Sequence, residues 1–151
     1  MFHISEVDKG DPELGCLIDE LDAFQSGLYP AENNHCLDLS TVSDEQLRCV
    51  IARDENGTSA GCGALLFQAV GIAEIKRVYI RPEFRGQKLG EEIVSAIESI
   101  ASVNSYHLLR LETGIHQQPA IALYRRCGYE ICDAFPPYAT DPLSVFMSKE
   151  I

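Results

Sequence analysis

The sequence predicts an α/β fold in which one mixed sheet carries helices on both of its faces. Segments with apolar residues at helix spacing follow segments that are continuously apolar or alternate, in imperfect alternation along the chain. The chain has 151 residues, 46% of them hydrophobic, which is enough for one domain with a buried core. Neither an internal repeat nor a composition shift divides it, so we expect residues 1–151 to form a single domain.

The first half is predicted to contain a strand, a helix and a hairpin. Residues 2–7 alternate enough for an opening strand, and Pro12 begins a stretch with leucines at helix spacing that Gly27 and Pro30 end. Residues 31–40 fit either a loop or a short second helix. Residues 47–53 and 60–68 are two strands whose connection contains Asn56-Gly57, a typical hairpin turn.

The second half is predicted to add four strands and two helices. The strands are residues 74–80, 106–111, 129–132 and 143–148. One helix runs from Lys88 with an apolar stripe, which comprises Leu89, Ile93, Ile97 and Ile100. The other begins near Pro119, a favoured residue in a first turn, and stops at Gly128, which is typical of a helix C-terminus.

Charge and composition exclude several classes of function. A net charge of −11 argues against binding to nucleic acid or to an anionic membrane. No apolar run is long enough to span a bilayer, and the N-terminus does not resemble a secretory signal, so we expect a cytoplasmic protein. The six cysteines lie singly and the four histidines are dispersed, so we expect reduced thiols and no metal site.

The segment after the strand at residues 74–80 has the properties of an anion cradle. Its loop, Arg85-Gly86-Gln87-Lys88-Leu89-Gly90, opens directly into a helix. The first N–H groups of a helix have no intrahelical partner, and the glycines let the backbone approach an anion closely. Five of the twelve basic residues fall here, namely Lys76, Arg77, Arg81, Arg85 and Lys88. The sequence therefore predicts a phosphate or pyrophosphate site, although a solvated basic face would give the same charge pattern.

Two motifs resemble those of the GNAT (Gcn5-related) N-acetyltransferases. The loop fits the family's R/Q-x-x-G-x-G/A pattern, except that Lys88 stands where the family usually has its first glycine. Residues 120–129, AIALYRRCGY, resemble the family's A-x-x-L-Y-x-x-x-G-F/Y signature, and they follow the loop by one helix and one strand. Further segments, at residues 61–65, 74–77, 111–114 and 138–147, are similar to those of small stand-alone bacterial acetyltransferases.

The resemblance implies a fold and a cosubstrate. It implies a mostly antiparallel sheet of six to seven strands, splayed at its central parallel strands, and acetyl-CoA as acetyl donor. The implied cofactor-binding residues are Val78, Tyr79, Ile80, Arg85, Gly86, Gln87, Lys88, Leu89, Gly90 and Gln117. The pantetheine arm would lie along the backbone of Val78 and Ile80, and the pyrophosphate on the N–H groups of Gly86 to Gly90.

The resemblance also implies the catalytic groups. Tyr124 is the candidate general acid for the leaving thiolate, since a neutral phenol within reach can deliver a proton. Glu74 is the candidate base, and it could equally be a solvated carboxylate or the partner of Lys76 or Arg77. Glu112 and His116 are rival bases, and proton loss through ordered water is a further alternative. The candidate substrate-binding residues are Tyr29, His35, Glu112, His116 and Tyr138.

The sequence is compatible with three functions. The first is acetylation of a primary amine of a small molecule by direct attack in a ternary complex. The second is acetylation of proteins or peptides, for which the acidic charge would suit basic tails. The third is a noncatalytic acyl-CoA-binding sensor. A homodimer is possible, but no apolar surface stripe in the sequence specifies one.

Overall fold

The computed structural model describes residues 1–28 and 39–151, which form one seven-stranded sheet and three α-helices. The strands are β1 (His3–Val7), β2 (Leu47–Arg53), β3 (Ser59–Ala69), β4 (Ile72–Ile80), β5 (Leu108–Gly114), β6 (Glu130–Ile131) and β7 (Ser144–Glu150). The helices are α1 (Pro12–Ser26), α2 (Leu89–Val103) and α3 (Gln118–Arg126). The strand order is β1-β2-β3-β4-β5-β7-β6, and only the β4–β5 pair is parallel. The expected mixed, mostly antiparallel sheet is therefore confirmed.

Helix α1 covers one face of the sheet. Asp11 caps its start, since the side chain accepts hydrogen bonds from the backbone N–H groups of Glu13 and Leu14. The helix buries three leucines against β2 and β3, in a cluster that contains Leu14, Leu17, Leu21, Cys49, Ile51, Cys62 and Tyr79. The expected leucine stripe is thus the contact face of this helix.

Helices α2 and α3 cover the opposite face. Three residues of the predicted stripe, Leu89, Ile93 and Ile97, are each at most 1% exposed, whereas Ile100 is only partly buried. They pack on Leu65 and Ile75 of the sheet within a second apolar cluster. The sheet therefore has an apolar layer on both faces, as the sequence predicts.

The observed fifth strand is shifted relative to the predicted one. β5 begins at Leu108, not at residue 106, and it runs to Gly114 because each of its residues is paired with β7. Tyr106 instead stacks on Phe67, with ring centroids 4.1 Å apart. A local apolar run cannot reveal a register that is set by a strand about 40 residues away.

Strand β4 separates from β5 halfway along its length. The two strands pair only from Ile72↔Leu108 to Ile75↔Leu111. Just beyond this point Arg77 takes a left-handed conformation (φ 59°), and the register between β3 and β4 shifts. This bulge changes the alternation of the strand, so that Lys76 and Tyr79 both face the α1 side. A gap therefore opens in the middle of the sheet.

Three further observations concern the described residues. None of their helices is long and apolar enough to cross a membrane. No group of three potential metal ligands occurs among residues 1–28 and 39–151. Cys49 and Cys62 are unbridged and buried, and burial raises the pKa of the two thiols to about 11 and about 12.

Candidate active site

A cavity of about 490 Å³ lies at the gap between β4 and β5. Its wall on the α1 side includes Leu21, Phe24 and Tyr79, and its wall on the other side includes Leu123 and Tyr124. Because these walls belong to opposite faces, the cavity passes through the sheet where the strands separate. An extended ligand could therefore reach from one face to the other.

Most of the predicted cofactor-binding residues line this cavity. They are Val78, Tyr79, Ile80, Arg85, Gly86, Lys88, Leu89, Gly90 and Gln117. Gln87 is exposed and is absent from the lining. His116 and Tyr124 also line the cavity, whereas Glu74, Glu112 and Tyr138 do not. Tyr29 and His35 lie outside the described residues.

The start of α2 offers unsatisfied backbone donors to the cavity. Lys88 is the N-cap residue, and its side chain makes no capping hydrogen bond, unlike that of Asp11 at the start of α1. Gly86 has a φ of 83° and Lys88 a φ of 62°, so the loop turns twice through the left-handed region before the helix begins. The first N–H groups of α2 are thus available to an anion.

Cationic side chains surround this helix start. Lys88 and Arg126 line the cavity, and Arg126 pairs with Glu91 of the first turn at 3.2 Å. That pairing offsets an acidic group which would otherwise repel an anion. Arg85 folds back, since its Nε donates to the carbonyl oxygen of Ile80 at 3.0 Å. The end of β4 and the loop are thereby fixed to each other.

Tyr124 is a buried residue that lines the cavity. Its side chain is only 7% exposed, and its ring meets that of Tyr129 edge-on with centroids 6.0 Å apart. No residue in the described ranges forms a hydrogen bond with its hydroxyl group. Burial raises the pKa of Tyr124 well above its ordinary value, with a smaller contribution from Cys127. The phenol is therefore neutral at physiological pH and can donate a proton.

Gln117 shapes the turn between β5 and α3. Its Oε1 accepts a hydrogen bond from the backbone N–H of Gly114 at 3.0 Å and lies 3.4 Å from the hydroxyl of Thr113. His116, one residue earlier, is exposed at the cavity wall. The turn thus brings an amide and an imidazole to the same wall as Tyr124.

Glu74 lies on the α1 side of the sheet, in a buried polar network. The residue is 1% exposed, and its carboxylate accepts hydrogen bonds from Gln68 at 2.6 Å, Lys76 at 3.0 Å and Tyr138 at 2.6 Å. Lys76 also donates to the Tyr138 hydroxyl at 2.6 Å. Burial and the charge of Glu74 raise the pKa of Tyr138 far above its ordinary value. The solvated state considered from the sequence is excluded, and the ion pair with Lys76 is observed.

The segment between β6 and β7 covers this network. Phe135 packs edge-on against Tyr138 and Phe146, with centroids 5.4 and 5.5 Å apart. Glu112, farther along the same face of the sheet, accepts a hydrogen bond from the hydroxyl of Ser144 at 2.8 Å. Two of the predicted substrate-binding residues lie on this face. Glu112 is bonded to the first residue of β7, and Tyr138 belongs to the segment before β7.

Sequence reasoning missed several residues of the site. Leu21 and Phe24 of α1 line the cavity. The leucine stripe in the sequence indicated which face of α1 is apolar, but it did not indicate that this face borders a cavity. Arg126 lines the cavity beside the signature motif. Gln68 and Arg110 had no local signal, because the pairing of β3 and β5 with β4 brings them together. Gln68 contacts Glu74, and Arg110 contacts Gln68.

Comparison with known proteins gives consistent results. The acetyltransferase (GNAT) family profile matches residues 16–129. An IAA acetyltransferase of Azospirillum brasilense is 43% identical over 136 residues, which is 89% of this chain and 88% of that protein. A crystal structure of an acyl-CoA N-acyltransferase from Klebsiella pneumoniae is 45% identical with a TM-score of 0.90, and the match covers 99% of this chain and 97% of that one.

A more distant structure shares the fold. It is a Bacillus subtilis acetyltransferase in complex with CoA, 17% identical with a TM-score of 0.71, and the match covers 100% of this chain and 99% of that chain. The two sequence motifs, the splayed sheet and the family match agree with one another. The chain therefore belongs to the acetyltransferase (GNAT) family, and it is an acyltransferase whose donor is acetyl-CoA.

Proposed function

We propose that the protein acetylates a primary amine of a small molecule, by direct attack on acetyl-CoA in a ternary complex. The observation that carries the proposal is the cavity that crosses the sheet. Its lining includes the uncapped start of α2 and Tyr124 on one face of the sheet, and Leu21, Phe24 and Tyr79 on the α1 face. A donor and an acceptor can therefore approach from opposite faces.

The residues of the loop and of β4 fit the donor. Backbone N–H groups between Gly86 and Gly90 would hold the diphosphate, with Lys88 and Arg126 supplying positive charge. The backbone of Val78 and Ile80 at the free edge of β4 would hold the pantetheine arm. Acetyl-CoA supplies an activated acetyl group in a thioester.

Two proton transfers accompany the exchange. The amine nitrogen forms a bond to the acetyl carbon as the carbon–sulfur bond breaks, and the nitrogen loses one proton. Tyr124 would donate its phenolic proton to the leaving sulfur, which its neutral state permits. Holding both reactants in the cavity removes much of the entropic barrier of a bimolecular reaction.

For the amine proton we propose a route through Tyr138 to Glu74. Because the Glu74 carboxylate is only 1% exposed, an acceptor would reach it most directly through the Tyr138 hydroxyl, which donates to it at 2.6 Å. Glu112, His116 and ordered water remain rival routes. If the two residues act as a unit, Glu74→Gln, Tyr138→Phe and the double variant should lose similar factors of kcat. Additive losses would contradict the relay.

The proposed function is tested by a mass-spectrometric screen. Acetyl-CoA is incubated with the protein and a panel of amino acids, polyamines, aminoglycosides and basic peptides. We expect an N-acetylated small amine together with free CoA. Acetylation of the peptides alone would favour the protein N-acetyltransferase, and tight acetyl-CoA binding without any product would favour the sensor.

A further inference from the structure

Arg110 is a cation on the α1 face of the sheet that has no ionic partner in the described chain. Its Nη2 donates to Gln68 Oε1 at 3.2 Å, and its guanidinium carbon lies 4.4 Å from the ring centroid of Phe135. Its Nε–H is buried and has no hydrogen-bond acceptor within residues 1–28 and 39–151. A buried donor of a charged group that lacks an acceptor is costly, so this arrangement requires an explanation.

We propose that Arg110 binds a carboxylate of the acceptor, and that the substrate is therefore a primary amine that also carries a carboxylate group. This inference rests on the proposed function and narrows its substrate class. A guanidinium is planar and presents parallel N–H donors, which match the two oxygens of a carboxylate.

The position of Arg110 suits such a role. It is paired with Glu74 across the parallel strands, one residue before the last β4–β5 pair at Leu111. Strands advance about 3.3 Å per residue, so Arg110 lies within about two residues of the gap. An acceptor held by its carboxylate at Arg110 would direct its amine toward the opening through which the donor is reached.

Arg110 differs from the neighbouring cation Lys76 in its hydrogen-bond partners. Lys76 is paired with Glu74 at 3.0 Å, so these two charges compensate each other. Gln68 links them to Arg110, because its Nε2 donates to Glu74 while its Oε1 accepts from Arg110. Within this network of described residues, Arg110 is therefore the cation that has no carboxylate partner.

Aromatic rings form the wall beside Arg110. Phe135, Tyr138 and Phe146 contact one another with centroids 5.4 to 5.7 Å apart, and Phe135 stacks on the guanidinium. Stacking holds the guanidinium plane in one orientation and lowers the rotational freedom that an ion pair would otherwise remove. The alternative is a purely structural arginine that serves to seat Phe135.

Matched acceptors separate these two roles. Phenylalanine, its carboxamide and phenethylamine share a primary amine and a phenyl ring, and only the first carries a carboxylate. We expect wild-type kcat/KM to be at least about tenfold higher for the carboxylate, the factor expected for a hydrogen bond to a charged group. Arg110→Gln should abolish that preference through KM, and Arg110→Lys should retain part of it. Equal kcat/KM for the three amines would overturn the proposal.

Arg48→Gln is the matched control, since Arg48 lies 5.2 Å from the ring centroid of Phe67 on β3 in a similar stacked geometry. It should leave the preference unchanged. Acetyl-CoA affinity, measured by calorimetry, should be the same in wild type and both Arg110 variants, which shows that each variant is folded. If Arg48→Gln removed the preference as well, the assignment to Arg110 would be wrong.

A binding measurement tests the contact between Arg110 and a carboxylate without requiring catalytic turnover. The probes are N-acetylphenylalanine and its carboxamide, titrated into the CoA-loaded protein. We expect the carboxylate probe to bind at least about tenfold more tightly, and Arg110→Gln to equalise the two probes. Equal binding to wild type overturns the inference while leaving the proposed function standing. Preferential binding without acetylation of any amine would support the anchor and contradict the proposed function.

Discussion

At the scale of single residues, Tyr124 is the group whose chemistry is most clearly set by its surroundings. The side chain is buried in the wall of the cavity, and burial raises the pKa of the phenol. The group therefore keeps its proton at physiological pH and can donate a hydrogen bond to a ligand in the cavity. The contrast with Tyr129 is informative, because Tyr129 is equally aromatic and buried but donates to Glu98 at 2.9 Å.

Replacing Tyr124 by Phe should lower kcat by about 10² or more, the usual contribution of a general acid, without changing acetyl-CoA affinity. Steady-state kinetics and calorimetry measure the two quantities. Tyr129→Phe is the control: it should lower the free energy of unfolding by about 1 to 3 kcal/mol, because the Glu98 carboxylate loses a donor, and should leave kcat near wild type. An unchanged kcat in Tyr124→Phe would remove this residue from the proposed mechanism.

The backbone at Lys88 shows why a glycine is usual at this position of the family motif. Its φ of 62° lies in the left-handed region, which glycine adopts without steric cost and other residues do not. Lys88→Gly should therefore raise the free energy of unfolding by up to about 1 kcal/mol, as measured by urea denaturation. Gln87→Gly, at a neighbouring position without a positive φ, should lower it. Destabilisation by both substitutions would show that the Lys88 side chain contributes more than its backbone strain costs.

At the scale of elements, the close approach of β3 to β4 limits which residues β3 can contain. A Cβ atom on Gly61 would lie 2.5 Å from the carbonyl oxygen of Tyr79. This oxygen belongs to the backbone, so it cannot move away by a side-chain rotation. Gly61→Ala should therefore lower the free energy of unfolding by about 1 to 3 kcal/mol, the range for overpacked sites. Thermal or urea unfolding would measure the loss.

Gly15 provides the matched comparison for Gly61. It lies in α1, it is exposed, and a Cβ atom added to it would have no neighbouring atom within 4 Å. Gly15→Ala should raise the free energy of unfolding by about 0.5 to 1 kcal/mol, because alanine has the higher helix propensity. If both glycine substitutions were neutral, the contact between β3 and β4 would be less restrictive than the geometry indicates.

The elements also show what could be predicted from the sequence. Helices α1 and α2, the hairpin and the loop before α2 have local signals: apolar residues at helix spacing, Asn-Gly, and glycines before a helix. The bulge at Arg77 has no such signal, since neither glycine nor asparagine marks it. The Glu74 network joins residues up to 64 positions apart, from Glu74 to Tyr138, and only strand pairing and the segment before β7 bring them together.

At the scale of the whole molecule, ion pairs between α1 and the sheet make stability depend on pH. Hydrogen bonds from Arg81 hold the pKa of Glu20 below its ordinary value, and Arg53 does the same for Glu13. A carboxyl group with a lowered folded pKa stabilises the protein above its unfolded pKa. That contribution is lost as pH falls through the folded pKa.

We therefore expect Glu20→Gln to reduce the difference in free energy of unfolding between about pH 7 and about pH 3, measured by urea denaturation. Asp19→Asn is the control, because Asp19 is exposed and forms no ion pair with the described residues. It should retain the wild-type difference. The same reduction in both variants would mean that net charge, and not the α1–sheet contact, determines the response to acid.

The strand order has a consequence for how the chain is made. Among the described strands, β6 is hydrogen-bonded only to β7, which lies between β6 and β5 in the sheet although it comes later in the sequence. During synthesis on the ribosome, residues 130–131 therefore emerge before the strand they join, and this half of the sheet remains unassembled until β7 follows. The Glu74 network, which needs Tyr138 held beside β7, is among the last parts to assemble. A pause in translation after residue 131 would expose an unfinished sheet edge, where encounters with other nascent chains lead to aggregation.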